Sequence, residues 1–410
     1  MEDGVFWIGI DLGSRSHQVC VLDAQKNVVL ERSVDHEGNA LTGFLDDLIT
    51  LAGGIPERIR AALETPQSAV VEMLLERGIS VYTINPKQLD RFRDRHSSAG
   101  AKDDRRDAFV LADSLCTDLR KYKQVKLGDA TLVELRALSR IRDELQRENI
   151  ALSNRIDAEL LRFYPELRAL GSIHGDAWLL DLLQLAPTPA QAQKVRIPQL
   201  RILLKKNRIR KLTAEQVQAV LRECKLRVAP GVAESGCRHI HMLIPRVRLV
   251  RDQERACVHD IERLLEKLSE PDPDSETQRD AAIVQSLPGA GSIVSATLLA
   301  EAWQPLADRD YKRLRVLSGI APVTKKSGKT KSIVMRRACS PRLRQGLYHW
   351  ANCSIRHDER ARAHYAELRA RGHKHGRALR SVADRLLDLL VTLLSRGELF
   401  DPARRALKSA

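Results

Sequence analysis

Four carboxylates in the first part of the chain have the types and spacing of a reactive site: Asp11, Glu64, Asp104 and Asp107. Asp11 closes an apolar run, and Glu64 closes another in Ala61-Ala62-Leu63-Glu64-Thr65. An acid at the mouth of a buried apolar strand is either paired or bound to a cation. Asp104 and Asp107 stand at i and i+3, on one face of a helix. Several carboxylates at close range repel one another unless a divalent cation holds them. Mg²⁺ suits such a set, with Mn²⁺ as the alternative, because it takes hard oxygen ligands and keeps waters that yield to phosphate oxygens. Two such ions roughly 4 Å apart stabilise both the attacking and the leaving oxygen at phosphorus. Taken singly, Asp104 is equally a helix N-terminal acid and Asp107 a partner for Arg105 or Arg106. As an ordered set of four, the acids point to metal-assisted phosphoryl chemistry.

A second candidate lies in Ala321-Pro322-Val323-Thr324-Lys325-Lys326-Ser327-Gly328-Lys329-Thr330-Lys331, followed by Arg336 and Arg337. Ser327 sits in a strongly cationic loop with no acid nearby. Cations favour phosphate approach and stabilise a developing alkoxide. The same composition also suits a solvated loop or a simple phosphate contact. Pro288-Gly289-Ala290-Gly291 precedes an apolar helix, where exposed amides can take a phosphate. It resembles the hairpin of helix–hairpin–helix DNA-binding modules, and it also fits an ordinary turn. A further basic cluster is Lys205-Lys206-Asn207-Arg208-Ile209-Arg210-Lys211. Cys224, Cys237, His239 and His241 hint at zinc, but the spacing matches no standard finger and fits a short strand or turn as well.

The elements that must position these groups change along the chain. Residues 5–11, 18–23 and 28–34 read as a strand meander and residues 41–52 as a helix. Strands at 58–64 and 80–85 flank a helix at 67–77, and Pro86 stops the second of them. Residues 103–119 form a further helix. Three strands, then helix, strand, helix, strand and more helix, is the ribonuclease-H-like (RuvC-like) order, an α/β layer fold. In such a sheet the first and fourth strands are neighbours and the late helix crosses them, so the four acids converge.

Residues 131–163 hold no Gly or Pro, and Leu138, Ile141, Leu145, Leu152 and Ile156 form a near-heptad seam broken by Asn149. That predicts a long helix capable of coiled-coil assembly. Residues 178–228 look helical, and residues 240–268 form a second long helix ending at Pro271-Asp272-Pro273-Asp274. Residues 292–302 are an apolar helix, and helices resume from Arg342 after a basic, loop-rich stretch. The expected division is an α/β catalytic domain at 1–125, a helical coiled-coil region with a basic insertion at 126–275, and a mainly α domain at 276–410.

Composition narrows the partners. The chain has 410 residues, 43% of them apolar, which suffices for several cores. Its net charge is +15, which favours a polyanion through counterion release. Aromatics make up only 4%, against a base-stacking single-strand binder. Seven scattered cysteines without a C-x-x-C pair read as a reducing compartment. No run reaches membrane-spanning length and no signal-peptide pattern opens the chain, so the expected place is the cytoplasm, on the nucleoid.

Ile8-Gly9-Ile10-Asp11-Leu12-Gly13-Ser14 also resembles the first phosphate loop of sugar kinases and actin-like ATPases, but no second phosphate loop or adenosine motif follows. The ordered motifs instead resemble the DEDD transposases of bacterial insertion sequences, the insertion-sequence-110 family, which includes Piv-type invertases. Ile8-Gly9-Ile10-Asp11 with Glu64 fits its first two acids. Ala101-Lys102-Asp103-Asp104-Arg105-Arg106-Asp107-Ala108 fits its Lys-x-Asp-x-x-Asp-Ala signature, with Asp103 as a neighbour. Leu287-Pro288-Gly289-Ala290-Gly291, Leu317-Ser318-Gly319-Ile320-Ala321-Pro322 and Ser327-Gly328 fit its C-terminal domain.

The resemblance implies that the acids bind Mg²⁺ and that Ser327 forms a transient covalent link to DNA. It further implies a dimer or tetramer assembled through the long helices, and a non-coding bridge RNA that pairs with donor and target DNA. Two departures stand out: residues 171–239 are long for the family, and Ser318 is a rival serine. A water-using, junction-resolving nuclease is the alternative chemistry.

Overall fold

The computed structural model describes residues 4–65, 68–84, 86–96, 103–126, 129–223, 226–229, 231–271, 278–328 and 330–403. Ala101, Lys102, Cys224, Lys329 and residues 272–274 of the expected linker lie outside them. The chain divides into two compact units, residues 1–129 and 130–410.

The first unit is built on β1 (Phe6–Leu12), β2 (Ser16–Leu22), β3 (Val28–Asp35), α1 (Gly38–Leu51), β4 (Ile59–Leu63), α2 (Ala69–Glu76), β5 (Ser80–Thr83), α3 (Pro86–His96), α4 (Asp104–Asp118) and β6 (Lys123–Val125). Its sheet runs β3-β2-β1-β4-β5-β6. The first three strands are an antiparallel meander, β4 and β5 run parallel to β1, and β6 closes the edge antiparallel. The expected strands and the helix at 103–119 are present with small boundary shifts. Two elements were not anticipated, β6 and α3. Pro86 ends a strand as expected, but it also opens α3, where its missing N–H is no loss.

Alternation along the central strands sets the two layers. Ile8, Ile10, Ala61, Leu63 and Val81 face Phe44, Leu48, Val71 and Leu74 of α1 and α2. Ala62 faces Val110, Leu111 and Leu115 of α4, with Leu89 and Phe92 of α3 in the same core. Gly9 belongs to this second face. A Cβ there would stand 1.9 Å from the Ala108 carbonyl oxygen, so only glycine lets α4 lie this close to β1.

In the second unit, α5 (Ala130–Phe163) is followed by α6 (Trp178–Leu185), α7 (Pro189–Ala192), α8 (Ile197–Lys206), α9 (Ala214–Arg222) and α10 (Val232–Ser269). Next come α11 (Asp280–Ser286), α12 (Ser292–Ala307), α13 (Tyr311–Leu317), β7 (Val323–Ser327), β8 (Thr330–Val334), α14 (Pro341–His357), α15 (Glu359–Ala370) and α16 (His375–Arg396). α5 and α10 form an antiparallel pair within one chain. The Cys257 thiol donates to the Leu138 carbonyl (3.3 Å), Arg142 pairs with Glu254 (3.3 Å), and His239 meets Glu159 (2.9 Å). Part of the apolar seam expected to mediate assembly is thus covered within one chain. Leu152 and Ile156 are buried among residues of the same chain, Leu138 and Leu145 pack against its cores, and Ile141 is exposed. Asn149 breaks the seam because its side chain accepts from Arg251 Nε (3.2 Å).

The pair is gripped at both ends. Leu135, Ile261 and Leu265 share a core with α11, α12, α14 and α16, so the boundary expected near residue 275 falls within one compact unit. At the other end, Phe163, Tyr164, Ile240 and Ile244 share a core with Trp178, Leu182, Leu200 and Val217. The long segment at 171–239 is thus a small helical cap on the turn of the pair. Its helices start where the sequence supplies caps: Thr188 accepts from Gln191 N, and Thr213 with Gln216 makes a reciprocal capping box.

Candidate active site and nucleic-acid interface

β1 and β4 run parallel with Phe6 beside Ile59 and Gly9 beside Ala62. Extending that register by two residues sets Asp11 level with Glu64. Side chains alternate along a strand, and Gly9 and Ala62 face α4, so Asp11 and Glu64 emerge on the α4 side. Asp104 and Asp107 occupy the first turn of α4, with Asp107 buried and Asp104 exposed. Asp103 is the N-cap, accepting from Arg105 N (3.2 Å), which separates it in role from the two acids that follow.

Asp11 reports the convergence. Its pKa is pushed up to about 6, first by burial, then by the charges of Asp107, Asp104 and Glu64, against a smaller opposing pull from Arg93. Asp11 therefore lies within electrostatic reach of the other three predicted acids. This donor set is all oxygen and mutually repelling, which fits a hard divalent cation. Among the described residues, no three side chains of metal-ligating type close round one point. The cation lying between Glu64 and Asp107 is instead the Arg93 guanidinium. Its Nε and one terminal nitrogen donate to the two oxygens of Asp107 (2.7 and 2.9 Å), and that same nitrogen reaches Glu64 (3.0 Å). Burial works against the Arg93 charge, but the hydrogen bonds and the charges of Asp107 and Glu64 hold its pKa above the usual value. Sequence reading missed Arg93. The signal was present: Leu89, Phe92 and the pair Asp90/Arg93 give a helical period with one apolar and one charged face.

Ser327 belongs to the second unit. It ends β7 opposite Thr330, with Gly328 following it, and it is exposed. Lys325 and Ser332 are cross-strand partners on the Ser327 face; Lys326 and Lys331 face each other on the opposite side. Like charges placed directly opposite destabilise a hairpin, a cost that an anionic partner would relieve. Lys325, Lys326, Lys331 and Arg337 are exposed, whereas half-buried Arg336 donates to the Ala321 carbonyl (3.2 Å). Ser318 is corrected as a rival nucleophile. It is fully buried and its hydroxyl donates to the Leu314 carbonyl (2.7 Å).

The two glycines before α12 differ. Gly289 has φ +77° and a Cβ there would come 2.7 Å from the Ser354 backbone nitrogen, so packing against α14 demands it. Gly291 is the N-cap of α12 with open space where a Cβ would stand. In the cap domain Lys206 pairs with Asp181 (3.0 Å), while Lys205, Arg208 and Arg210 are exposed. The Cys-x-His-x-His stretch lies on α10, not on a strand or turn. Cys237 and His241 touch (3.6 Å) and His239 turns to Glu159, so the three do not share one centre.

Two family models match the chain. One of the IS110 DEDD type, described as Transposase, matches residues 8–165; another, described as Transposase IS116/IS110/IS902 family, matches residues 281–366. Together they take in more than half of the sequence, including all four acids and Ser327. The chain is 39% identical over 234 residues to a putative transposase, y4uE, of Sinorhizobium fredii, covering 57% of this chain and 63% of that one. It is 28% identical over 406 residues to the mini-circle putative transposase for IS117 of Streptomyces coelicolor, covering 97% and 95%. An uncharacterized 42 kDa protein of insertion element IS900 from Mycobacterium paratuberculosis is 26% identical over 407 residues, covering 97% of each. The chain thus spans less than two thirds of the first relative and nearly all of the other two. No helix among the described residues is long and apolar enough to cross a membrane.

Proposed function

The chain belongs to the IS110 family of transposases, and on that premise we propose that it cuts and rejoins DNA during movement of an insertion sequence. The observation that carries this reading is the convergence of Asp11, Glu64, Asp104 and Asp107 at the ends of β1 and β4 and the start of α4. These four acids hold Mg²⁺, or Mn²⁺ in its place. The bound ion supplies positive charge to the phosphate oxygens at the cleavage point. The β1–β4 layer is a ribonuclease-H-like, RuvC-like sheet, in keeping with its strand order.

Ser327 is the nucleophile. A bond forms between its Oγ and phosphorus while one phosphorus–oxygen bond of the DNA backbone breaks. The serine proton goes to solvent, and the departing sugar oxygen gains one. Reversal by a hydroxyl from another strand restores Ser327 and rejoins the DNA, so no nucleotide triphosphate is consumed. Lys325 shares the Ser327 face and steadies the anionic phosphate. Lys326, Lys329, Lys331 and Arg337 neutralise neighbouring backbone, as do Lys205, Lys206, Arg208 and Arg210 on the helical cap. The amides at Gly291 take a further phosphate, with Gly289 shaping the turn. A bridge RNA supplies sequence recognition by base pairing, and the working form is a homo-oligomer on the nucleoid.

One observation favours a second chemistry. Among the described residues no hydrogen-bonded base stands beside Ser327, as a water-using nuclease would allow. A trapping assay separates the two. Wild type and Ser327→Ala are incubated with divalent metal, co-purifying RNA and the element's own ends, then run on a denaturing gel. Serine chemistry gives a covalent protein–DNA species that Ser327→Ala lacks. Cleavage by both proteins without an adduct assigns the attack to water.

A further inference from the structure

The Arg93 guanidinium fills a place that the metal reading gives to a divalent ion. It spends three nitrogens on carboxylates: two on Asp107, one of these also on Glu64, and the third on Asp90 (2.8 Å). Asp107 is only 5% exposed, so its charge needs a partner held firmly in place. Arg93 is held by its helix. Leu89 and Phe92 bury into the core under α4, and Lys121 lies over the Phe92 ring. A buried carboxylate left without any cation would destabilise the fold, so a permanent organic cation lets this site form before metal arrives.

One guanidinium and a divalent ion cannot both stand between Glu64 and Asp107. The same oxygens would serve both, and their positive charges repel. Asp90 gives Arg93 somewhere to remain. It is 63% exposed, outside the pair that Arg93 bridges, and three residues back on the same helix. We propose that Arg93 is a positioning residue of the acid site, a built-in counter-cation that holds Glu64 and Asp107 in place and must be displaced from them, towards Asp90, for divalent metal to enter. This rests on the acids being the metal site.

The test is titration of the full-length chain with Mn²⁺, followed by calorimetry and by the electron paramagnetic resonance of bound ion. Arg93→Gln removes the competing charge. It should bind Mn²⁺ roughly 5- to 10-fold tighter than wild type, the scale of one partly exposed ion pair that no longer competes. Arg93→Lys keeps a charge without the fork and should fall between the two, which guards against a poorly folded glutamine variant. Asp11→Asn should weaken Mn²⁺ binding in either background. A merely structural arginine predicts the opposite sign, weaker binding on its loss. Unchanged or weaker binding in folded Arg93→Gln and Arg93→Lys overturns the role of Arg93 and leaves the metal site standing. No Mn²⁺ binding by wild type or variants overturns both.

Discussion

The acid cluster and the serine hairpin are built on opposite principles. Asp11, Glu64 and Asp107 hang from β1, β4 and α4, whose packing leaves no room for a methyl group at Gly9. Ser327 ends a two-stranded hairpin whose residues are almost all exposed and whose lysines oppose each other. A metal site needs several ligands fixed before the ion arrives, because each loose ligand costs entropy on binding. A nucleophile for a phosphate on a long polyanion needs projection, and its cations find their partners only when the polyanion arrives. Folding organises the first region; in the function proposed for Ser327, substrate organises the second.

The largest expected contrast is chemical. Asp11→Ala should lower strand cleavage by roughly a thousandfold or more, as loss of a charge-stabilising group does, with circular dichroism and bulk DNA binding nearly unchanged. Wild-type cutting by that variant would detach the acids from the reaction. Next comes rigidity. Gly9→Ala should cost about 3 kcal/mol or more by overpacking, against about 1–2 kcal/mol for Gly328→Ala at the hairpin turn, where φ is +55°, read by thermal unfolding. Equal losses would erase the distinction between the regions.

A smaller effect concerns the polyanion. Lys326→Ala with Lys331→Ala should reduce the salt slope of DNA binding by about 2, since each phosphate contact contributes roughly one unit. An unchanged slope would remove the hairpin as a backbone contact.

The mildest prediction concerns pH. Folded Asp11 holds its proton more tightly than the unfolded residue does. Its contribution to stability is therefore full below pH 3.8 and declines as pH rises to about 6. Asp11→Asn should abolish that decline and stabilise the metal-free protein at pH 7 by on the order of 1 kcal/mol, or roughly 2–4 °C, after allowance for solvent around a half-buried group. A melting temperature that falls instead would mean that neither burial nor the neighbouring acids burden the Asp11 charge.

Much of this was legible in the residues. Periodicity marked the strands of the sheet and both long helices, because burial on one or two faces imposes a repeat that survives in the sequence. The four acids could be picked out because strand ends and a helix first turn are fixed by local pattern. The basic hairpin could be seen as composition. Tertiary structure decided what local pattern cannot carry. The seam of α5 is satisfied by α10 of the same chain, and an apolar stripe does not say whose surface covers it. Ser318 and Ser327 look alike in sequence, yet one is sealed beneath a helix turn and the other projects into solvent. Gly289 and Gly291 part in the same way, since only one of them has a backbone pressed against it. Arg93 was one arginine among many until α3 packed beside α4 and delivered its guanidinium between Glu64 and Asp107. Electrostatic partnership depends on distance in space, which the order of residues does not contain.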